Sequence, residues 1–195
     1  FVQRDRYFMA GWNGLNGRAD FRNDEMPGDR WQQLKEQVAP WSERGSYILV
    51  CGQVPWDSSV QHVNYPQWCE DTLREIRERV TQRVIFRPHP EQPNALLPNI
   101  SGVEVVREGA LEDVLLQASA VVTFNSNTGV DAVLAGTPVF ALDEGAMCWP
   151  IANTSLAAIA SPAAPQREQW LNNLAYCQWT NEEFASGLAW RHLIT

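Results

Sequence analysis

Arg87, Pro88, His89 and Pro90 directly follow an apolar run, Val84 to Phe86. A guanidinium and an imidazole are thereby held between stiff prolines at the end of a buried segment. The guanidinium presents a planar fork for phosphate oxygens. The imidazole can donate a hydrogen bond to phosphate or protonate a leaving group. The same two side chains can also do no more than tie down a turn. A second group, Asn125, Ser126, Asn127, Thr128 and Gly129, follows another apolar run, Ala120 to Phe124. The hydroxyls of Ser126 and Thr128 either bind phosphate or cap the helix that follows, and one helix end can serve both ends. Asp131 stands one turn into that helix, where it accepts ribose hydroxyls or simply favours the helix N-terminus. What these residue types share is the capacity to hold an anion, so they predict a phosphate or nucleotide site.

Ala120 to Phe124 is short and β-branched enough to be a strand buried on both faces. Val130, Val133 and Leu134 then give an apolar face at helical spacing, and Gly136 with Pro138 closes that helix. Val139 to Leu142 is the next buried strand, which completes a βαβ unit. Its polar turn falls at the carboxyl end of a strand, where open α/β sheets bind ligands. A helix start there also offers N–H groups to an anion. Upstream, Ser46 to Cys51, Arg83 to Phe86 and Val103 to Val106 read as strands. Trp68 to Val80 is a helix with Leu73, Ile76 and Val80 on one face. Leu111 to Ala118 is another, with Leu111, Val114, Leu115 and Ala118 inward.

Strands and helices alternate, which predicts an α/β, Rossmann-like fold of about five parallel strands with helices on both faces. Four loops then share one edge of the sheet: Gly52 to Ser59, Arg87 to Pro90, Asn125 to Gly129 and Asp143 to Trp149. Their convergence is what makes a cleft. Residues 1–30 carry no period and read as a loop-rich arm, followed by a short helix from Arg30 to Val38. Residues 151–163 look irregular. Gln166 to Tyr176 and Glu182 to Leu193 form two terminal helices, the second opened by a capping box of Thr180 and Glu183. The expected divisions are 1–45, 46–160 and 161–195.

Composition removes several classes. A net charge of −8 and a pI near 4.9 disfavour non-specific binding to nucleic acid. No apolar run approaches the ~20 residues of a membrane span. Four widely spaced cysteines without a CxxC pair give neither a zinc site nor a disulfide framework, and predict a reducing cytoplasm. His62, His89 and His192 lack metal-ligand spacing. Neither GxGxxG nor a Gly-Lys-Ser/Thr phosphate loop occurs, and no Gly-x-Ser-x-Gly elbow. The nine dispersed tryptophans read as packing anchors. The sequence opens on Phe1 with no signal-peptide pattern after it, so a start inside a longer product is expected.

From Ser46 to Leu142 the order of features resembles the nucleotide-binding half of a GT-B glycosyltransferase. The likeness is to bacterial capsule or lipopolysaccharide enzymes that transfer Kdo or sialic acid from CMP-sugars. It rests on His89 and Pro90 after a strand, on the Asn125 to Gly129 turn opening a helix, on Asp131 with Ala132, and on Gly136, Thr137, Pro138 and Val139. Many members have Glu where Asp131 stands, and sugar-nucleotide epimerases share much of the pattern. A complete GT-B enzyme has two Rossmann-like domains, for which the 45 residues before Ser46 are too few. An upstream segment supplies the other domain, or this is a reduced relative.

The resemblance implies a metal-independent transferase that needs no cofactor and takes a CMP- or UDP-linked sugar as donor. Arg87, His89, Asn125, Ser126, Thr128 and Gly129 would surround the leaving phosphate, Asp131 the ribose, and Gly52 and Gln53 the donor or the bond being broken. Asp57 or Asp143 would activate the acceptor, a glycan or a modified nucleobase. A non-catalytic nucleotide-binding module and a sugar-nucleotide epimerase or hydrolase remain as alternatives.

Overall fold

The computed structural model describes residues 1–42, 45–94 and 98–194. In chain order its elements begin with β1 (Phe8–Met9), α1 (Asp29–Leu34), β2 (Tyr47–Cys51) and α2 (Tyr65–Arg79). There follow β3 (Arg83–Arg87), β4 (Val103–Val105), α3 (Leu111–Leu116), β5 (Ala118–Thr123), α4 (Thr128–Leu134) and β6 (Val139–Ala141). The last are α5 (Glu168–Ala175), β7 (Gln178–Trp179), α6 (Asn181–Ala185) and α7 (Leu188–Ile194). Contacts divide the chain into two units, Val38–Ala164 and a second made of Phe1–Gln37 with Pro165–Thr195.

In the unit Val38–Ala164, five strands pair in the order β4-β3-β2-β5-β6, every pair parallel. The alternation of side chains along a strand sorts them into two faces. Ile48, Val50, Val84, Phe86, Ala120, Val122 and Phe140 pack with Tyr65, Cys69, Leu73 and Ile76 of α2. Leu73 and Ile76 are fully buried, and such burial stabilises by about 1.5–3 kcal/mol per side chain. On the opposite face, Tyr47 Oη donates to the Val114 carbonyl of α3 (2.7 Å) and Thr137 Oγ1 to that of Leu115 (2.8 Å).

The helix expected from Arg30 to Val38 is the shorter α1, Asp29–Leu34, and two further boundaries differ from expectation for a local reason. α2 starts at Tyr65 rather than Trp68, because Asn64 Oδ1 accepts from the Gln67 N–H and Pro66 fits the first turn, where its missing N–H is harmless. α3 stops at Leu116, and Ala118 opens β5 opposite Tyr47 instead of closing the helix. Gly136 ends α4 in the left-handed region, φ +77°, with Pro40 O packed where a Cβ would stand.

The expected division of the termini into 1–45 and 161–195 is replaced by one joint unit. β1 pairs antiparallel with β7, Phe8 opposite Trp179 and Met9 opposite Gln178, so the irregular arm supplies a strand. The capping box is present: the Thr180 N–H donates to Glu183 Oε2 (2.8 Å) and the Glu183 N–H to Thr180 Oγ1 (3.2 Å). The helix expected from Glu182 to Leu193 is broken into α6 and α7 at Gly187, φ +77°. Cys51, Cys69 and Cys148 are buried thiols whose pKa burial pushes up to about 12, which makes them packing groups rather than nucleophiles. Among the described residues no helix is long and apolar enough to cross a membrane.

Candidate functional site

β2 and β5 are neighbours in the sheet, yet through α2 the chain crosses from β2 to β3 on one side, and through α4 from β5 to β6 on the other. Strand ends that diverge in this way open a crevice at the carboxyl edge. Cys51 pairs with Thr123, so Gln53 and Asn125, each two residues further on, stand opposite one another. Where the backbones part, these side chains continue the pairing. Gln53 Nε2 donates to Asn125 Oδ1 (2.8 Å), and the Asn125 N–H donates to Gln53 Oε1 (3.0 Å). Both residues are buried, and the Gln53 N–H is itself held by Tyr65 Oη at 2.8 Å.

Asn125 spends its amide nitrogen on two further acceptors, the Ser59 carbonyl (2.8 Å) and Asp143 Oδ1 (2.9 Å). Asp143 Oδ1 also accepts from the Gly145 N–H (2.9 Å), and Asp143 Oδ2 lies 3.1 Å from His62 Nε2. The Asp143 side chain is 10% exposed and that of His62 43%. Asp143, expected as a base, therefore has both oxygens engaged; the more open group beside it is His62. The imidazole stands 5.6 Å, centroid to centroid, from the ring of Phe124, the residue that leads into the Asn125 turn.

The turn itself departs from expectation. The Thr128 N–H donates to Ser126 Oγ (3.2 Å), that of Gly129 to Ser126 O (3.0 Å) and that of Val130 to Asn127 O (2.9 Å). The helix start thus satisfies its own N–H groups, and α4 has only seven residues. What remains for an anion is side-chain chemistry. Ser126 Oγ donates to Thr128 Oγ1 at 3.1 Å, which leaves the Thr128 hydroxyl proton as the donor of the pair.

Gly52 and Gly129 meet packing demands of their own. A Cβ on Gly52 would stand 2.9 Å from Phe86 Cζ and 3.3 Å from Pro88 Cα, and a Cβ on Gly129 would overlap Cys148 Sγ. Gly129→Ala is expected to destabilise by about 1–3 kcal/mol, as overpacking of a full core does. In urea unfolding, Gly129→Ala with Cys148→Ala should lose less than the two single losses added; strict additivity would rule the clash out.

After β3, the Glu91 N–H donates to His89 Nδ1 at 3.3 Å. That nitrogen therefore carries the lone pair, and the proton of the neutral ring sits on Nε2. Asp57 accepts from the Ser59 N–H at 2.8 Å. Hydrogen bonds from Ser59, side chain and backbone, lower its pKa against burial, and the nearby charge of His89 adds to them. A carboxylate held low is a poor proton acceptor near neutral pH, which counts against Asp57 as the acceptor-activating base. Arg87 turns away from the crevice: Nη1 donates to Glu108 O (2.9 Å) and Nη2 to Gly109 O (2.7 Å), bracing the loop before α3. Burial dominates the raised pKa of Cys51, with Arg87 and Asp131 acting on it in opposite senses.

The residues brought together are thus Gln53, Asn125 and Asp143 by direct bonds, and Ser126 with Thr128. Arg87 is bonded to the Glu108 and Gly109 carbonyls. Sequence reasoning missed Ser59, Tyr65 and His62. His62 sits in a stretch without period, and only the fold brings it to Asp143.

No protein-family model and no curated protein matches this chain. Among solved structures, it is similar to KpsC of Thermosulfurimonas dismutans, described as a β-Kdo 2,4-transferase. That match covers 93% of this chain and 72% of the other, at a TM-score of 0.57 and 14% identity. A β-Kdo 2,7-transferase structure of the same name and organism matches over 83% and 57%, TM-score 0.49, identity 20%. The spinosyn rhamnosyltransferase SpnG matches over 80% and 41%, TM-score 0.41, identity 16%. The chain spans less than two thirds of the latter two. At 14% identity the first is a likeness of fold: this chain has the Rossmann-like α/β fold of a GT-B half-domain.

Proposed function

We propose that this chain binds a nucleotide-sugar at the carboxyl edge of its parallel sheet and transfers the sugar to an acceptor. The observation that carries the reading is the cross-linked switch point, where Gln53, Asn125 and Asp143 lock three loops together at the carboxyl ends of β2, β5 and β6. β3 and β5 both flank β2. His89 and the Asn125 turn therefore start about 10 Å apart, two strand spacings, with Gly52 between them. His89 Nε2–H and the Thr128 hydroxyl are donors suited to phosphate oxygens. Donors aimed at the charge that develops on a leaving phosphate are a large catalytic term. In a chain of net charge −8, an anion needs such local donors to bind at all. On this reading no metal takes part, and a chelator leaves binding intact.

A thermal-shift panel of CMP-, UDP-, GDP- and ADP-sugars tests it. The preferred donor should stabilise the fold by about 3–4 kcal/mol at ~100–1,000 times Kd, and His89→Ala should shrink that shift. An unaltered shift in His89→Ala would remove His89 from the site. Stabilisation by none of the donors would remove the function. Release of free nucleotide then distinguishes an enzyme from a module that only binds.

A further inference from the structure

Two histidines stand at the same edge of the sheet with their protons on matching nitrogens but with opposite neighbours. His89 receives a backbone N–H at Nδ1, so its outer nitrogen, Nε2, is a donor. His62 faces the Asp143 carboxylate through Nε2. An ionised carboxylate can only accept, so Nε2 holds a proton, and in the neutral ring the lone pair is on Nδ1. One ring is set to give a hydrogen bond and the other to take a proton.

We propose that His62, oriented by Asp143, is the base that takes the proton from the acceptor hydroxyl; this rests on the glycosyl-transfer reading. The pair has the arrangement in which a buried carboxylate fixes an imidazole tautomer and steadies the imidazolium that forms. Asp143 is in turn anchored by Asn125 Nδ2 and the Gly145 N–H, so it is a positioning residue rather than the base. The ring of Phe124 backs the imidazole, and 43% of the side chain is open to an incoming acceptor. In the step, the acceptor O–H proton moves to His62 Nδ1 and the acceptor oxygen bonds the anomeric carbon. The anomeric C–O bond to phosphate breaks, and its electron pair leaves with the nucleotide. The imidazolium then returns its proton to solvent. Water can take the acceptor's place, giving free sugar and free nucleotide.

That hydrolysis makes a test that needs no knowledge of the natural acceptor. Free nucleotide release from the best-binding nucleotide-sugar is measured for wild type, His62→Gln and His62→Ala, alongside each variant's donor thermal shift. Release should fall about 100-fold or more in both variants, with the donor shift unchanged. Added imidazole should restore part of the rate to His62→Ala, which a purely structural role would not allow. Release within about twofold of wild type overturns the proposal, as does a rate lost together with the shift and not restored by imidazole. Wild type that binds donor but releases no nucleotide overturns it as well. If no nucleotide-sugar stabilises wild type, the transfer reading falls and takes this proposal with it. If wild type binds and turns over but the His62 variants do likewise, only this proposal falls.

Discussion

Asn125→Ala is expected to destabilise the unit Val38–Ala164 by about 2–4 kcal/mol and to abolish the donor thermal shift. Asn125 is 3% exposed and joins the loops after β2, β5 and β6 through Gln53, Ser59 and Asp143. Removing it leaves Gln53 Nε2 with only its long bond to Ser59 Oγ (3.5 Å) and takes one donor each from the Ser59 carbonyl and Asp143, and a buried group left without its partner costs about 1–3 kcal/mol. Residual solvent at the edge keeps the sum below the full three-fold penalty. Asn125→Asp is the sharper comparison, since it keeps the shape. Its second oxygen would replace the amide nitrogen that now donates to Asp143 Oδ1 and Ser59 O, setting acceptor against acceptor and charge against charge. At neutral pH it should be at least as damaging as Ala. A carboxyl in such a pair has its folded pKa raised, so the penalty is present above the unfolded value and eases as the pH falls and one proton is shared. Urea unfolding of the three proteins at neutral and mildly acidic pH checks this. Stability of Asn125→Asp that does not gain on Asn125→Ala in acid would mean that Asn125 does not bridge Asp143.

The arrangement behind that prediction is half legible in the sequence. Apolar runs of strand length separated by helical faces are enough to expect parallel strands, and hence one shared edge for the loops after Cys51, Arg87, Thr123 and Ala141. The pairing of Gln53 with Asn125 additionally needs the strand order and register. Once β2 is known to lie beside β5 with Cys51 opposite Thr123, the two amides must meet. His62 was out of reach for a different reason. It lies in an irregular stretch, 81 residues from Asp143, and no local pattern marks a contact of that separation. Helix-start N–H groups look available where Ser126, Asn127 and Thr128 open α4, yet those same residues fold into a turn that consumes them. Arg87 likewise had the right chemistry but finds backbone carbonyls first. β1 and β7, with two residues each, are too short for alternation to show. The Thr180 and Glu183 box was legible because it is wholly local.

Arg30→Met is expected to open β7 and α6 with a loss of about 3–5 kcal/mol, the range for breaking a largely buried ion pair on one side. The Arg30 side chain is 11% exposed and that of Glu183 21%. Arg30 Nη1 meets Glu183 Oε1 at 2.5 Å and Nη2 meets Oε2 at 3.2 Å, while Nη2 and Nε also hold the carbonyls of Gln178 (3.0 Å) and Ala175 (3.2 Å). The guanidinium lies 4.0 Å from the ring centroid of Trp179, a contact that adds to the pairing. Burial alone would raise the pKa of Glu183, but the hydrogen bonds and charge of Arg30 with the bonds to Thr180 outweigh it, and the net direction is down. A carboxyl lowered on folding contributes stability above its unfolded pKa and loses it as the pH drops through the folded value. The difference between wild type and Glu183→Gln should therefore be largest near neutral pH and close below the ordinary carboxylate range. Hydrogen exchange of the Phe184 amide, bonded to Thr180 O at 3.1 Å, reports this opening locally. A wild-type advantage that persisted unchanged in acid would show that the pair acts through packing alone, because a charge already neutralised by protons cannot be what the guanidinium holds.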